Sequence, residues 1–228
     1  MCRYGKYGEI VAVAATITIL LLVMWMLRSD ATKDAERIAC AGHLSRLQGA
    51  INLYHQTFGT LPPVFIEDKT GNRLYSWRVL ARRFLDDDAI YVFDDEKSWN
   101  APANAIVLSE DHDIDHVVLP FVCPSAQDAL TLRYTNYVAI VGEETLWPGK
   151  NAYKPSKDDY DKILLIELPG SDIKWTEPRD ISVEEAVELY REAKRGHIRA
   201  GNPHLLYITL GGKYGDVSAI PDELTFRR

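Results

Sequence analysis

The chain of 228 residues lacks the short motifs of several common enzyme classes. It contains no G-x-S-x-G nucleophile turn, no H-E-x-x-H zinc motif, no G-x-x-x-x-G-K phosphate loop and no G-x-G-x-x-G dinucleotide loop. These absences argue against the hydrolases, zinc proteases and nucleotide-dependent enzymes that are built on those motifs. We therefore predict that the protein is not an enzyme and that it has no cofactor.

Basic residues are also scarce, and their scarcity limits the possible partners. The chain has 26 Lys and Arg against 33 Asp and Glu, which gives a net charge of −7. Residues 1–28 carry an excess of basic side chains, so the rest of the chain is more acidic still. An acidic domain repels phosphate backbones unless it carries a local basic stripe, and the sequence shows no such stripe. Nucleic acid is therefore not expected as a partner.

Only three cysteines are present, too few for a cysteine-rich scaffold. None of them has the C-x-x-C or Cys/His spacing of a zinc site. Cys40 and Cys123 are the one pair beyond the N-terminal region. An even pair outside the cytoplasm is typical of a disulfide, and two separately buried thiols are the alternative.

The most apolar stretch runs from Ile10 to Leu27 and contains no charged residue. At about 1.5 Å per residue, a helix of this length is roughly 27 Å long, close to the hydrocarbon thickness of a bilayer. A cleaved signal peptide would have a shorter apolar region and small residues at its exit, whereas this run ends in bulky side chains. We predict a single membrane span. The basic residues Arg3 and Lys6 in the short N-terminal flank favour a cytoplasmic N-terminus and an extracytoplasmic main domain.

The helical pattern continues beyond the apolar run. Apolar residues recur at steps of four, three, four, three and four, at Cys40, Leu44, Leu47, Ile51, Tyr54 and Phe58. Gly59 and the pair Pro62-Pro63 then end the pattern. We predict one unbroken helix that spans the membrane in its first half and forms the packing spine of a folded domain in its second.

The remaining chain mixes short helices with strands. LYSWRVLARRFLDDD and DISVEEAVELYREAKRG are predicted helices, the second with a capping box formed by Ser182 and Glu185. HVVLPFVCP, TNYVAIVG, KILLIELPG and the pair HLLYITL and DVSAI are predicted strands, the last two joined as a hairpin by GGKYG. The predicted fold class is α+β, with a long N-terminal transmembrane and spine helix packed on a small, mainly antiparallel sheet with short helices.

Several stretches together resemble a pilin-like family of planctomycete-type bacteria, the domain-of-unknown-function 1559 family. They occur in the family's order, as CAGHLSRLQGAINLYHQTFGTLPP at 40, SWRVL at 76, WNAPAN at 99, FVCPS at 121, TNYVAIVG at 135, ILLIEL at 163 and WTEPRD at 175. The resemblance implies a cytoplasmic stub and transmembrane helix over 1–28, the extracytoplasmic half of the spine helix over 29–61, and a pilin-like α+β outer domain over 62–228.

The same resemblance implies a function and a location. The protein would be a single-pass protein of the bacterial cell membrane, with a structural or assembly role similar to that of the minor pseudopilins of type II secretion and type IV pilus systems. Its partners would be the membrane and either further copies of itself or other pilin-like subunits, held through the N-terminal helix.

The chain departs from the family pattern at both ends. The prepilin signal, a Gly followed by Phe-Thr-Leu-Ile-Glu, is represented by Gly5 and Glu9 with one residue fewer between them. Glu9 is a candidate assembly residue that would pair with a neighbouring subunit's N-terminal amine, and a position among the lipid headgroups is the alternative. In the C-terminal signature, Gly211-Gly212 replaces Asp-Gly.

One polar cluster offers potential metal ligands. His112 and His116 would share a face of a helix, and Asp111 and Asp113 lie beside them. An acidic solvated loop is the simpler interpretation, so no metal site is predicted. A metal-dependent hydrolase built on this cluster is the third functional hypothesis.

Four other polar residues are predicted to have structural roles. His55 lies beside the apolar stripe, where a histidine most often hydrogen-bonds a loop carbonyl. Arg179, paired with one of the neighbouring carboxylates Glu177 and Asp180, would hold the turn before the last helix.

The second functional hypothesis is a membrane-tethered binding module for an extracytoplasmic sugar or peptide. Its ligand would contact exposed aromatic side chains at Trp99, Trp147 and Tyr153, and packing of these side chains on the sheet is the alternative.

Overall fold

The computed structural model describes residues 4–85, 93–105, 119–124, 133–168, 170–196, 205–220, 222 and 226. The chain divides into two units, residues 1–38 and residues 39–228. The helix α1, Tyr4–Phe58, supplies the whole described part of the first unit and continues into the second. The predicted helix is therefore present without a break between Leu27 and Cys40.

The described side chains of the first unit are largely exposed. The large apolar residues between Val11 and Met26 keep 46–68% of their surface accessible. Thr16 and Thr18 donate their hydroxyl hydrogens to the backbone carbonyls of Ala12 and Ala14, at 2.8 and 2.9 Å. In the part of the chain that the structure describes, no helix combines the length and the apolar character that crossing a membrane requires.

In the second unit, the predicted apolar stripe of α1 enters the core. Cys40, Leu44, Leu47 and Ile51 are buried, which confirms the stripe over three turns. Phe58 is 60% exposed, so the stripe leaves the core before the helix ends. Gly59 has a φ of 78°, a left-handed conformation that glycine adopts without strain, and it ends the helix as predicted.

The described residues of the second unit also form three small sheets. The hairpin of β1, Phe65–Glu67, and β2, Arg73–Ser76, forms one sheet. The largest sheet is antiparallel in the order β3-β5-β7-β8, from the strands Tyr137–Val138, Ile163–Glu167, Leu206–Thr209 and Tyr214–Asp216. A parallel pair joins β4, Ile140–Val141, to β6, Ile181–Ser182. The mixed architecture with antiparallel sheets and short helices agrees with the predicted α+β class, and the parallel pair was not predicted.

The described part of the second unit also contains three short helices, and the sequence predicts the first and the last of them. They are α2, Trp77–Arg82, α3, Pro102–Ala105, and α4, Val183–Lys194. The predicted strand HVVLPFVCP is wrong in its described part, because Leu119–Phe121 forms a 3₁₀ turn. Pro120 explains this difference, since proline has no N–H group for a strand ladder.

Buried apolar side chains form two clusters. The larger one joins α1 to α2, β3, β5 and β7, with Trp77, Trp147 and Trp175 fully buried in it. The smaller one packs α4 against the other face of the sheet, mainly through Val187, Leu189 and Ile166. The second half of α1 is therefore one wall of the main core.

The capping box of α4 gives a first testable prediction. The Ser182 hydroxyl accepts a hydrogen bond from Glu185 N, and the Glu185 carboxylate accepts one from Ser182 N at 2.7 Å. We expect Ser182→Ala to lower the free energy of unfolding by about 1 kcal/mol in denaturant titrations, because one helix N–H loses its partner. The exposed Ser45→Ala should cost nothing, and equal losses in the two variants would contradict the assignment.

Candidate functional site

A disulfide marks the point where α1 joins the core. Cys40 Sγ is bonded to Cys123 Sγ, and the two Cα atoms are 5.1 Å apart. One turn further along α1, the Nδ1 atom of His43 lies 2.8 Å from the carbonyl oxygen of Val122. Burial lowers the pKa of His43 below its ordinary value, and the Val122 carbonyl opposes this change. A covalent bond and a hydrogen bond thus attach the same irregular segment to α1.

A buried carboxylate and a buried phenol lie close to this disulfide. One carboxylate oxygen of Glu167 and the two sulfur atoms are all within 4.8 Å of one another. Glu167 accepts a hydrogen bond from Leu206 N at 3.2 Å, and the Tyr137 hydroxyl donates to the Cys40 carbonyl at 3.2 Å. Burial raises the pKa of Tyr137 well above its ordinary value, and the Glu167 carboxylate adds to this increase. Because the cysteines are bonded to each other, neither offers a thiolate to a metal ion.

The second polar cluster is a fully buried ion pair. Arg78 of α2 donates to Asp180 through Nη2 at 2.5 Å and through Nη1 at 3.3 Å, and both side chains are 0% exposed. Asp180 also accepts hydrogen bonds from Ala139 N at 2.7 Å and from Trp77 Nε1 at 3.3 Å. Arg78 donates in addition to the Tyr137 carbonyl, at 3.1 and 3.2 Å. The pair therefore ties α2 to β3 and to the segment before β6.

Burial and pairing act in opposite directions on these two charges. Burial raises the pKa of Asp180, while Arg78 and the Ala139 N–H group oppose the increase. Burial likewise lowers the pKa of Arg78, while Asp180 opposes that change. Each charge is thus kept in the core by its hydrogen-bond partners.

Sequence reasoning missed three of these residues, Arg78, Tyr137 and Glu167. The sequence did contain a signal for Arg78 and Glu167. Arg78 is the single charged residue in the stretch WRVLA, and Glu167 is the single charged residue in ILLIEL. A charge at such a position is buried only when it has partners. The identity of the partners was not readable, since Arg78 and Asp180 are 102 residues apart.

The predicted turn of residues 175–180 is present with different pairings. Arg179 is 44% exposed and contacts Glu177 at 2.8 Å and Asp172 at 3.0 Å. Asp180 does not pair with Arg179 through its side chain, because its carboxylate faces Arg78. Of the two carboxylates that were considered for Arg179, the structure selects Glu177.

The expected hydrogen bond of His55 is not formed at its buried ring nitrogen. Nδ1 of His55 has no hydrogen-bond partner among the described residues. The backbone carbonyl of His55 instead accepts from Gly59 N at 2.8 Å, as part of the helix end. The predicted hydrogen bond from the ring to a loop carbonyl is thus not made by Nδ1, and the structural role of His55 stays a prediction.

Two groups of predicted site residues cannot be placed, because the residues or their side chains lie outside the described part of the structure. The potential metal ligands His112, His116, Asp111 and Asp113 lie in the segment 106–118, outside the described residues. Glu9 belongs to α1, but its side chain is likewise outside the described part. Their predicted roles stay predictions.

The three aromatic side chains that were predicted to contact a ligand are buried or half-buried. Trp147 is fully buried and donates from Nε1 to the Leu164 carbonyl at 2.7 Å. Trp99 and Tyr153 are half-buried against the main core, and the Tyr153 hydroxyl donates to Asp159 at 3.0 Å. The prediction of an exposed aromatic surface is therefore wrong for Trp147, and the other two side chains are only partly accessible.

A cleft of about 280 Å³ lies beside the start of α4. Apolar and charged side chains both line it, and the charged side chains have partners within the domain. The lining residues include Leu168, Asp172, Ile173, Arg179, Glu185 and Glu188. The cleft is slightly smaller than typical small-molecule sites, and its charged side chains have partners: Arg179 contacts Asp172, Glu185 accepts from Ser182 N, and Glu188 contacts Arg191.

No curated protein and no solved structure matches the chain. A family model described as "Protein of unknown function (DUF1559)" matches residues 31–162, which is more than half of the chain. The matched region includes the buried stripe of α1, both cysteines of the disulfide, Arg78 and β3. The predicted family is confirmed, and the chain is a member of the DUF1559 family of proteins of unknown function.

Proposed function

We propose that this protein is a pilin-like envelope protein with a structural or assembly role. It is anchored in the bacterial cell membrane by the first part of α1, with the N-terminus in the cytoplasm and the α+β domain outside. The N-terminal helices of several copies, or of related subunits, associate within the membrane. The observation that carries this proposal is the exposed apolar surface of α1 between residues 11 and 26.

This surface is too large to be left in water without a cover. Each large apolar side chain along it gains on the order of 1 kcal/mol when its remaining accessible area is buried. The segment holds eleven such side chains, so the total is on the order of 10 kcal/mol. They lie all around the helix, as is typical of a helix surrounded by lipid or by other helices.

The polar groups of the segment are suited to the same environment. Its two threonines, Thr16 and Thr18, satisfy their hydroxyl groups on carbonyls one turn earlier in α1. The helix itself satisfies the backbone groups of its interior. The hydroxyl hydrogens of both threonines are therefore satisfied within α1 itself.

The disulfide supports the extracytoplasmic location of the folded domain. Bonds of this kind persist in oxidising compartments outside the cytoplasm and are rare inside it. The bond connects α1 to residue 123, so it belongs entirely to the unit formed by residues 39–228.

A structural role agrees with the state of the charged groups in the core. The buried pair Arg78 and Asp180 uses its hydrogen-bonding groups to connect α2, β3 and the turn before β6. The cleft residues Arg179 and Glu185 are also engaged, in local contacts with Asp172 and Glu177 and with Ser182 N. These arrangements stabilise the fold and direct no reactive group toward an open site.

Membrane fractionation tests the anchor. We expect the full chain to sediment with membranes and to resist extraction by alkaline carbonate. The double variant Ile19→Arg/Leu20→Arg should move most of the protein out of the membrane fraction, because each arginine at the centre of a span costs about 3 kcal/mol. Ile38→Arg changes an exposed residue outside the apolar run and is the matched control, which should stay in the membrane.

Two differently tagged copies test the assembly. Expressed together and extracted in mild detergent, they should co-purify, and mixing after separate extraction should give the same complex. Full extraction by carbonate would refute the anchor. Retention in the membrane without co-purification would refute self-assembly and leave a monomeric anchor.

A further inference from the structure

The strand β5 carries one buried charge at its end, next to the disulfide. Ile163, Leu164, Leu165 and Ile166 are apolar and buried, and Glu167 follows them at 0% exposure. Placing a carboxylate in a core is unfavourable unless it has partners. The backbone N–H of Leu206 is one partner, and the two sulfur atoms lie within 4.8 Å of a carboxylate oxygen.

Cys40 and Glu167 are held together independently of Cys123. They belong to α1 and β5, which pack in the same core through Leu44, Leu47 and Leu165. Cys123 instead follows a 3₁₀ turn and lies in neither a helix nor a strand. Before the disulfide forms, the thiol of Cys40 therefore already has the carboxylate as a neighbour.

The other titratable groups in this region have separate roles. Tyr137 of β3 donates its hydroxyl hydrogen to the Cys40 carbonyl, and its pKa is raised, so it is not a base at neutral pH. His43 of α1 uses Nδ1 at the carbonyl of Val122. From β7, the contact with Glu167 is the Leu206 N–H group, which does not titrate. Glu167 is thus the described group suited to accept a proton beside the sulfur atoms.

Closing a disulfide requires a thiolate. A thiol with an ordinary pKa of about 8.5 is only about 3% ionised at pH 7, and apolar surroundings lower that fraction further. A carboxylate that accepts the proton as the sulfur attacks removes this limit, as general bases do in other reactions.

We propose that Glu167 is the proton acceptor that assists Cys40 in closing the disulfide with Cys123. The reacting species is a mixed disulfide of Cys123 with a small thiol such as glutathione. The Cys40 sulfur attacks the Cys123 sulfur while its proton moves to Glu167, and the bond between Cys123 and glutathione breaks. The glutathione thiolate leaves and takes up the proton, so the products are the protein disulfide and glutathione.

The test follows the closure step in the full chain, kept in detergent. The reduced protein is mixed with oxidised glutathione, and free thiols are trapped by alkylation at set times. The concentration of oxidised glutathione is raised until the observed rate stops changing, and this limiting rate is the rate of closure. At pH 7, Glu167→Gln should slow closure at least tenfold, and at pH 9.5 the two rates should agree within about threefold, because the thiolate then forms without a base.

Two controls separate proton transfer from a change in folding. Glu143→Gln removes the same charge from an exposed position and should close like the wild type, whereas Glu167→Asp should recover part of the rate. A slowing that is equal at pH 7 and pH 9.5, or no slowing, overturns the proposal. A wild-type rate that rises tenfold per pH unit between 6.5 and 8.5 also overturns it, whether or not the variants fold.

Discussion

Asp180→Asn is expected to lower the free energy of unfolding by about 3–5 kcal/mol, because it leaves the Arg78 guanidinium buried without a counter-charge. Asp180 receives four hydrogen bonds, from Arg78, Ala139 and Trp77, and its side chain has no access to solvent. An amide keeps part of this geometry but loses the charge. Denaturant titration followed by far-UV circular dichroism measures the loss.

A surface ion pair of the same region is the matched control for this prediction. Asp172 contacts Arg179 at 3.0 Å and is 82% exposed, so Asp172→Asn should cost well under 1 kcal/mol. Removing both buried charges in Arg78→Met/Asp180→Leu should recover much of the loss, since no isolated charge remains. If Asp180→Asn and Asp172→Asn have the same free energy of unfolding, the buried pair does not stabilise the fold more than the surface pair does.

Removal of the disulfide is the second large expected effect. Cys123→Ala opens a loop with a sequence separation of 83 residues, and the chain-entropy model gives a loss of about 4.5 kcal/mol for a loop of this size. The midpoint of chemical denaturation should fall accordingly, and reduction of the wild type should produce the same fall.

Cys2→Ala is the control for Cys123→Ala, because Cys2 is not part of the disulfide and the variant should unfold like the wild type. A reduced wild type as stable as the oxidised protein would show that the bond adds nothing to the fold. If the reductant lowers the denaturation midpoint of the wild type and leaves that of Cys123→Ala unchanged, the whole effect belongs to this bond.

Periodic patterns in the sequence predicted much of the local structure. The stripe through Leu44, Leu47 and Ile51 identified the buried face of α1, because a helix repeats its faces every three to four residues. The capping box of Ser182 and Glu185 identified the start of α4 for an equally local reason. Both signals depend on residues a few positions apart.

Long-range partnerships were not predictable in this way. Trp147 could equally have been an exposed ligand contact, and only the packing against Trp77, at 5.3 Å between ring centroids, shows that it belongs to the core. Asp180 was one of two carboxylates predicted as the partner of the nearby Arg179, although its actual partner Arg78 comes from a distant helix. Composition and spacing identify residues that need partners, and the fold determines which partners they find.

If the proposed anchor holds the protein by its N-terminal helix, the position of the disulfide has a mechanical consequence. Among the described side chains of α1, Cys40 is the first that is buried, so tension that travels along the helix reaches this residue before it reaches Leu44 or Leu47. The sulfur bridge passes that load into the chain at Cys123. Peeling α1 away from the sheet turn by turn would therefore require, at the first step, either the rupture of a covalent bond or the release of the segment around Cys123.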